Sequence, residues 1–197
     1  MPGPAAGGHA PSIAAAAIVV VDSSPVRNFV RAGAQRAFAD YLVDRVRLTV
    51  DVARELEEAA RSDPGLRMLL RSWPPHEPVD LPGHLKQKAA DILGFIADDR
   101  RSSLQDLGEV TCVLLAQYLR DSGECADPVL LLDDVRHGKN LAAPRRLRVA
   151  DTPALIIEMV CADAIPHALG QKVWRATFSD RAKWAAFDEP LREALGK

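Results

Sequence analysis

Apolar residues fill positions 18–21 without a polar interruption and stop at Asp22. A short β-branched run of this kind is expected of a central parallel strand, covered on both faces. Beyond it the apolar period lengthens. Phe29, Val30, Ala34, Ala37, Phe38, Tyr41 and Leu42 recur close to helical spacing, which predicts one or two helices up to about residue 44, with Ser23 and Ser24 placed to cap the first near Pro25. Residues 47–50 read as a second strand. The segment DVARELEEAARSD, with Val52, Leu56 and Ala59 on one side, reads as a helix that Asp51 caps. A short helix over 66–71 precedes SWPPHEPVDLPG, whose prolines mark a loop. Helices over 84–98 and 104–120 follow, then the turn DSGECADP and an apolar strand over 129–132 that ends on Asp133 and Asp134. A short last strand over 147–149 and a helix over 152–160 complete the alternation. Strand and helix in turn, with no sequence repeat, predict an α/β fold with a parallel central sheet flanked by helices on both faces.

The remainder of the pattern concerns the two ends. Residues 1–12, MPGPAAGGHAPS, have no periodic apolar face and are expected to be a disordered leader. At the other end Trp174, Phe178, Trp184 and Phe187 stand near helical spacing; core packing is the expected use of such rings, and a docking face for a partner is the alternative. The expected organisation is therefore a main domain over 13–166, with an insertion at about 61–103, and a helical extension over 167–197. A length of 197 residues allows one sizeable core. No apolar run approaches the roughly 20 residues a membrane-spanning helix needs, and the run before Asp22 has no basic residue ahead of it, so a strand is expected there instead of a secretory segment. Cys112, Cys125 and Cys161 are too scattered for a zinc or redox motif, which fits unpaired thiols in a reducing compartment and points to the cytoplasm. A net charge of −2 is unusual for a protein that holds nucleic acid by bulk electrostatics, so any such site is expected to be a local patch.

Carboxylates change the picture most. In parallel α/β sheets ligands bind beyond the C-terminal ends of the strands, and Asp22 and Asp133 both stand at such ends. Acids gathered there repel one another, and a divalent cation with oxygen ligands, Mg²⁺ or Mn²⁺, offsets that repulsion. A single Asp after a strand is as often the cap of the next helix.

Four segments in chain order carry a wider likeness: VVVDSSPVRNFVRAG, LTVDVARELEEA, LQDLGEVTCVLLAQYL and VLLLDDVRHGKNLA. Together they resemble the PIN-domain nucleases, including the toxin halves of bacterial toxin–antitoxin pairs, over residues 18–166. The resemblance implies a PIN-like fold with extra helices in the middle and at the C-terminus. It maps the first acid onto Asp22, with Ser24 as its hydroxyl neighbour, and the second onto Glu55. The third maps onto Glu109, with Asp106 nearby, and the fourth onto Asp133, with Asp134 assisting it or capping the helix. Three departures stand out: the stretch between Glu55 and Glu109 is long, Val110, Thr111 and Cys112 replace the small residues usual after Gly-Glu, and the tail is additional.

The activity implied is a metal-dependent endoribonuclease, hydrolysing RNA phosphodiester bonds with one or two divalent cations. Asp22, Glu109 and Asp133 would be metal ligands, Glu55 would bind a second cation or orient a water, and Ser24 would orient a ligating carboxylate. Among the basic residues Arg27, Arg31, Arg100, Arg101, Arg136 and Lys139, the last two are the leading substrate contacts because they open the helix after Asp133; His137 between them is left outside the site. The resemblance also implies a homodimer and a small antitoxin protein as partner. Two rivals fail on single positions. A phosphoryl-accepting receiver domain needs a Lys at the end of a later strand, and an Asp-nucleophile phosphatase needs an Asp where Ser24 stands. The remaining alternative is an inactive PIN-like protein that binds a protein or RNA.

Overall fold

A computed structural model describes residues 13–74, 76–97, 107–133 and 138–196. In chain order these form β1 (Val19–Val21), α1 (Ser23–Arg31), α2 (Gln35–Leu42), β2 (Val46–Arg47), α3 (Val50–Ala60), α4 (Pro64–Leu69), α5 (Gly83–Ala97), α6 (Leu107–Asp121), β3 (Val129–Leu131), α7 (Gly138–Ala142), β4 (Arg148–Ala150), α8 (Thr152–Cys161), α9 (His167–Thr177) and α10 (Asp188–Ala194). The strands make one sheet in the order β2-β1-β3-β4, every neighbour parallel. All residues of β1 and β3 have 0% exposure. Because successive side chains of a strand point to opposite faces, both faces of these strands are covered, and the α/β architecture expected from the apolar runs is the one observed.

This order places a topological switch between β1 and β3. From β1 the chain turns to one side to build β2, then crosses back to build β3 on the other side. The crevice at the C-terminal ends of two such strands is where ligands of open α/β sheets bind, and Asp22 and Asp133 emerge there.

Two local expectations are corrected. Asp22, and neither Ser23 nor Ser24, caps α1: its backbone is extended and its Oδ2 accepts the Ser24 N–H at 3.3 Å. The second strand is shorter and earlier than 47–50, because Thr49 caps α3 by accepting the Val52 N–H at 3.3 Å, which leaves Asp51 inside the first turn and not at the cap. The extended stretch after β2 is satisfied elsewhere: Val79, in the proline-rich loop, donates to Leu48 O at 2.8 Å and accepts from Val50 N at 3.2 Å. A loop residue thus pairs backbone groups that the sheet edge would leave open.

Both ends of the described chain are tied to the body. The Glu158 carboxylate on α8 accepts the Ile13 N–H at 2.7 Å, the Ala14 N–H and the Tyr41 hydroxyl at 3.0 Å, while Arg45 Nη1 donates to Ile13 O at 2.7 Å. Burial first, and then the Glu158 charge, push the Tyr41 hydroxyl's pKa up. At the C-terminus α9 packs on α1 and α8. Trp174 and Phe187 are buried with ring centroids 5.3 Å apart, while Phe178 and Trp184 are half-buried, and the Trp174 and Trp184 ring N–H groups donate to Lys183 O and Phe178 O at 2.8 and 2.9 Å. The tail's rings therefore pack inward. The three cysteines are unpaired, Cys161 being the exposed one. Among the described residues no helix is long and apolar enough to cross a membrane, and the leader over 1–12 lies outside them.

Candidate active site

Backbone pairing carries the first acid to the end of β3. The Asp22 N–H donates to Leu131 O at 3.1 Å, so the β1–β3 ladder continues up to the carboxylate-bearing residue, which is 4% exposed. Glu55 arrives from the second turn of α3, where the Ser23 hydroxyl donates to its Oε2 at 2.7 Å. Gly108, at the start of α6, shows how closely these two acids approach. A Cβ built there would stand 2.8 Å from Glu55 Oε1 and 3.2 Å from Asp22 Oδ1. Both carboxylates therefore converge on one small cradle that only a glycine leaves open.

Glu109 follows directly in α6 and is 8% exposed. Its Oε2 lies 3.5 Å from the point a Cβ on Gly138 would occupy, which sets it beside the first residue of α7 and the end of β3. Cys112, one helical turn further along α6, is fully buried, and its thiol pKa is pushed up by burial and then by the charges of Asp22, Glu55, Glu109 and Asp51. One sulfur thus senses acids from β1, α3 and α6 together.

Asp133 is held from three directions. Its Oδ1 accepts the Thr152 N–H at 2.7 Å, and its Oδ2 accepts the Thr152 hydroxyl at 2.7 Å and Asn28 Nδ2 at 2.8 Å. A carboxylate has about four acceptor positions, so roughly one remains, on Oδ1. Burial raises the pKa values of Asp22, Glu55 and Asp133 above the ordinary carboxylate range. Hydrogen bonds from Ser23 and Ser24 to Asp22, from Ser23 to Glu55 and from Thr152 and Asn28 to Asp133 pull the other way. The charge of Asp133 adds to the rise at Asp22, and that of Asp22 to the rise at Glu55. Among the described residues no Lys or Arg forms an ion pair with Asp22, Glu55 or Asp133.

A hard divalent cation was implied by the resemblance, and its fit has two sides. The donor chemistry suits it: the oxygens are carboxylate, partly or fully buried, raised in pKa by desolvation and by one another, and two of them face the Gly108 cradle. On spacing, no three His, Cys, Asp or Glu side chains among the described residues are grouped closely enough to hold a metal ion.

Of the residues expected from sequence, Asp22 and Glu55 are brought together, Glu109 follows Gly108 in α6 with its Oε2 toward Gly138, and Asp133 is tied to α1 and α8. Ser24 meets Asp22 through its backbone N–H. Asp106, Asp134, Arg136, Arg100, Arg101 and His137 lie outside the described residues, as does the side chain of Lys139, whose backbone is in the first turn of α7. Sequence reasoning missed the roles of Ser23, Asn28 and Thr152 around these acids. Thr152 had a signal, because it follows the end of β4 as Asp133 follows β3; Asn28 had a weaker one, sharing the face of α1 on which Ser24 lies. No family model matches the chain, and neither a curated protein nor a solved structure does.

Proposed function

We propose that the chain is a metal-dependent ribonuclease of the PIN type, acting at the carboxylates beyond β1 and β3. The observation that carries this reading is the convergence of Asp22 and Glu55 on the Gly108 cradle, with Glu109 the next residue of α6 and no described cation ion-paired with either of the first two. Asp22, Glu109 and Asp133 are the proposed ligands of Mg²⁺ or Mn²⁺, with Glu55 beside them. Such a cation would polarise the phosphodiester and offset the mutual repulsion of the acids.

The chain's own groups have separable tasks. Asn28 and Thr152 fix the Asp133 carboxylate so that its remaining acceptor position points one way. Ser23 holds Glu55 by one oxygen and leaves Oε1 toward the cradle. Glu55 Oε1, facing the cradle, is placed to take the proton of an attacking water. The water oxygen then bonds to phosphorus, the phosphorus–oxygen bond to the leaving ribose breaks, the leaving oxygen takes a proton from solvent water, and Glu55 returns its proton to solvent.

A second reading, a PIN-like module that binds protein or RNA without cutting, is favoured by the lack of any three closely grouped metal-ligating side chains among the described residues. Thermal unfolding with Mg²⁺ or Mn²⁺ against a chelator separates the two. A bound cation raises the midpoint, and Asp22→Asn removes the rise; a midpoint indifferent to metal and chelator leaves the binding module. The homodimer and the antitoxin partner belong to the same proposal on resemblance alone, and light scattering and co-purification check them; a cytoplasmic location is proposed from the unpaired cysteines.

A further inference from the structure

One face of α1 carries charges that form no ion pair with the acid cluster. Arg27 and Arg31 stand one helical turn apart, both exposed, and among the described residues neither is ion-paired to an acid. They line a cavity of about 290 Å³ together with Ser24, Asn28, Asp133 and Thr177 of α9. That volume is close to the lower end of the roughly 300–1,000 Å³ of small-ligand sites, enough for a phosphate with its sugar. Two guanidinium groups over such a cavity are matched to the paired oxygens of a phosphate.

Asp133 belongs to both the cavity and the acid site, and two further links join them. Arg31 Nη1 lies 3.5 Å from Asn28 Oδ1, the long limit for a hydrogen bond, and Asn28 Nδ2 donates to Asp133 Oδ2 at 2.8 Å. Arg27 is close enough for its charge to lower the pKa of Glu55. A phosphate held by the arginines would therefore lie on the Asp133 side of the acid site, beside whatever meets Asp22 and Glu55. We propose that the pocket between α1 and α9, lined by Arg27, Arg31, Ser24, Asn28, Asp133 and Thr177, binds a backbone phosphate of the RNA that neighbours the one being cut, with the two guanidinium groups outweighing the single Asp133 carboxylate. The proposal rests on the nuclease reading for its substrate and assigns part of the substrate grip to α1 and to the C-terminal extension.

Binding and cleavage are measured apart so that the two readings fail separately. In the Asp22→Asn chain with chelator, anisotropy of a labelled short single-stranded RNA is followed across salt concentrations, with and without Arg27→Ala/Arg31→Ala. The expected result is about tenfold weaker binding and a salt slope shallower by about 0.7 for each phosphate that the variant no longer neutralises. The charge-matched Arg36→Ala/Arg192→Ala should bind as the parent does. Equal weakening by both pairs, or by neither, overturns the pocket whether or not the wild type cleaves RNA. Arginine-dependent binding by a chain that never cleaves keeps the pocket and removes the nuclease. A parallel titration with inorganic phosphate at matched ionic strength is expected to compete poorly; phosphate binding as tight as RNA would make this a free-phosphate site and overturn the assignment. Both arginines are exposed, and an unchanged melting midpoint shows that the variants fold.

Discussion

Replacing Gly108 by Ala separates folding from function at one atom. The new Cβ would stand 2.8 Å from Glu55 Oε1 and 3.2 Å from Asp22 Oδ1, a spacing that real Cβ atoms do not tolerate at the shorter approach. Both obstructing atoms are tips of side chains, so Glu55 can withdraw at small cost. Its withdrawal breaks the 2.7 Å bond from Ser23, a loss of about 1 kcal/mol. Against this, Ala is favoured over Gly inside a helix by up to about 1 kcal/mol, somewhat less in the first turn where Gly108 lies. The two nearly cancel, and the melting midpoint in chelator should move by less than about 4 °C. The metal response should change far more. A cation present at about 100 times its Kd stabilises the wild type by about 2.7 kcal/mol, or about 5–10 °C for a chain of this size; with the cradle filled, at least half of that shift should vanish and RNA cleavage should fall more than about tenfold, or about 1.4 kcal/mol in the barrier. Scanning fluorimetry with and without Mn²⁺ and a cleavage assay read the two effects. Gly108→Ala with an undiminished metal shift and wild-type cleavage would refute the cradle as the reactive centre, and a collapse of the midpoint in chelator would show that Glu55 cannot withdraw.

Other perturbations test the surrounding groups. Asp22 is raised in pKa by burial above its ordinary 3.8, so its contribution to stability is fully present below that value and is lost as pH rises through the folded-state value; in chelator Asp22→Asn should gain on wild type in melting midpoint as pH rises above about 4, and a difference that does not grow with pH would contradict this. Asn caps a helix as well as Asp does, so the cap does not confound the comparison. Thr152→Val keeps the backbone donor but deletes the hydroxyl 2.7 Å from Asp133 Oδ2; denaturation should show a loss of about 1–2 kcal/mol with reduced cleavage, both restored by Thr152→Ser, and a Val variant as active as wild type would remove Thr152 from the site. Glu158→Gln should lower stability to denaturant by about 1–3 kcal/mol and speed proteolysis near Ile13, since the carboxylate serves Ile13, Ala14 and Tyr41 together; unchanged protection would show that the clamp is dispensable.

How much could be read in the sequence follows from the range of each interaction. β1 and β3 were legible because both faces are covered and every position is apolar. Asp22 and Asp133 were legible from the same runs, since strand ends converge in a parallel sheet. The second strand was misplaced because the stretch after it is extended without being sheet: its partner, Val79, sits in a loop about 30 residues on, and pairing at that distance leaves no periodic trace. Thr49 and Asp51 are both cap-forming types two residues apart, and only the backbone geometry at Thr49 decides between them. Asn28 reaches Asp133 across 105 positions, so its role appears only once α1 lies beside β3. The same holds for Arg27 and Arg31, which look like ordinary solvated arginines until Thr177 of α9 closes a cavity over them.

The most direct test of the central claim is cleavage of a mixed pool of structured RNA in Mg²⁺ or Mn²⁺ by wild type, by Asp22→Asn and by wild type with chelator. Cleavage only by the metal-supplied wild type is the predicted result. Equal cleavage by Asp22→Asn, or none by any sample together with no metal binding by calorimetry, would contradict the claim.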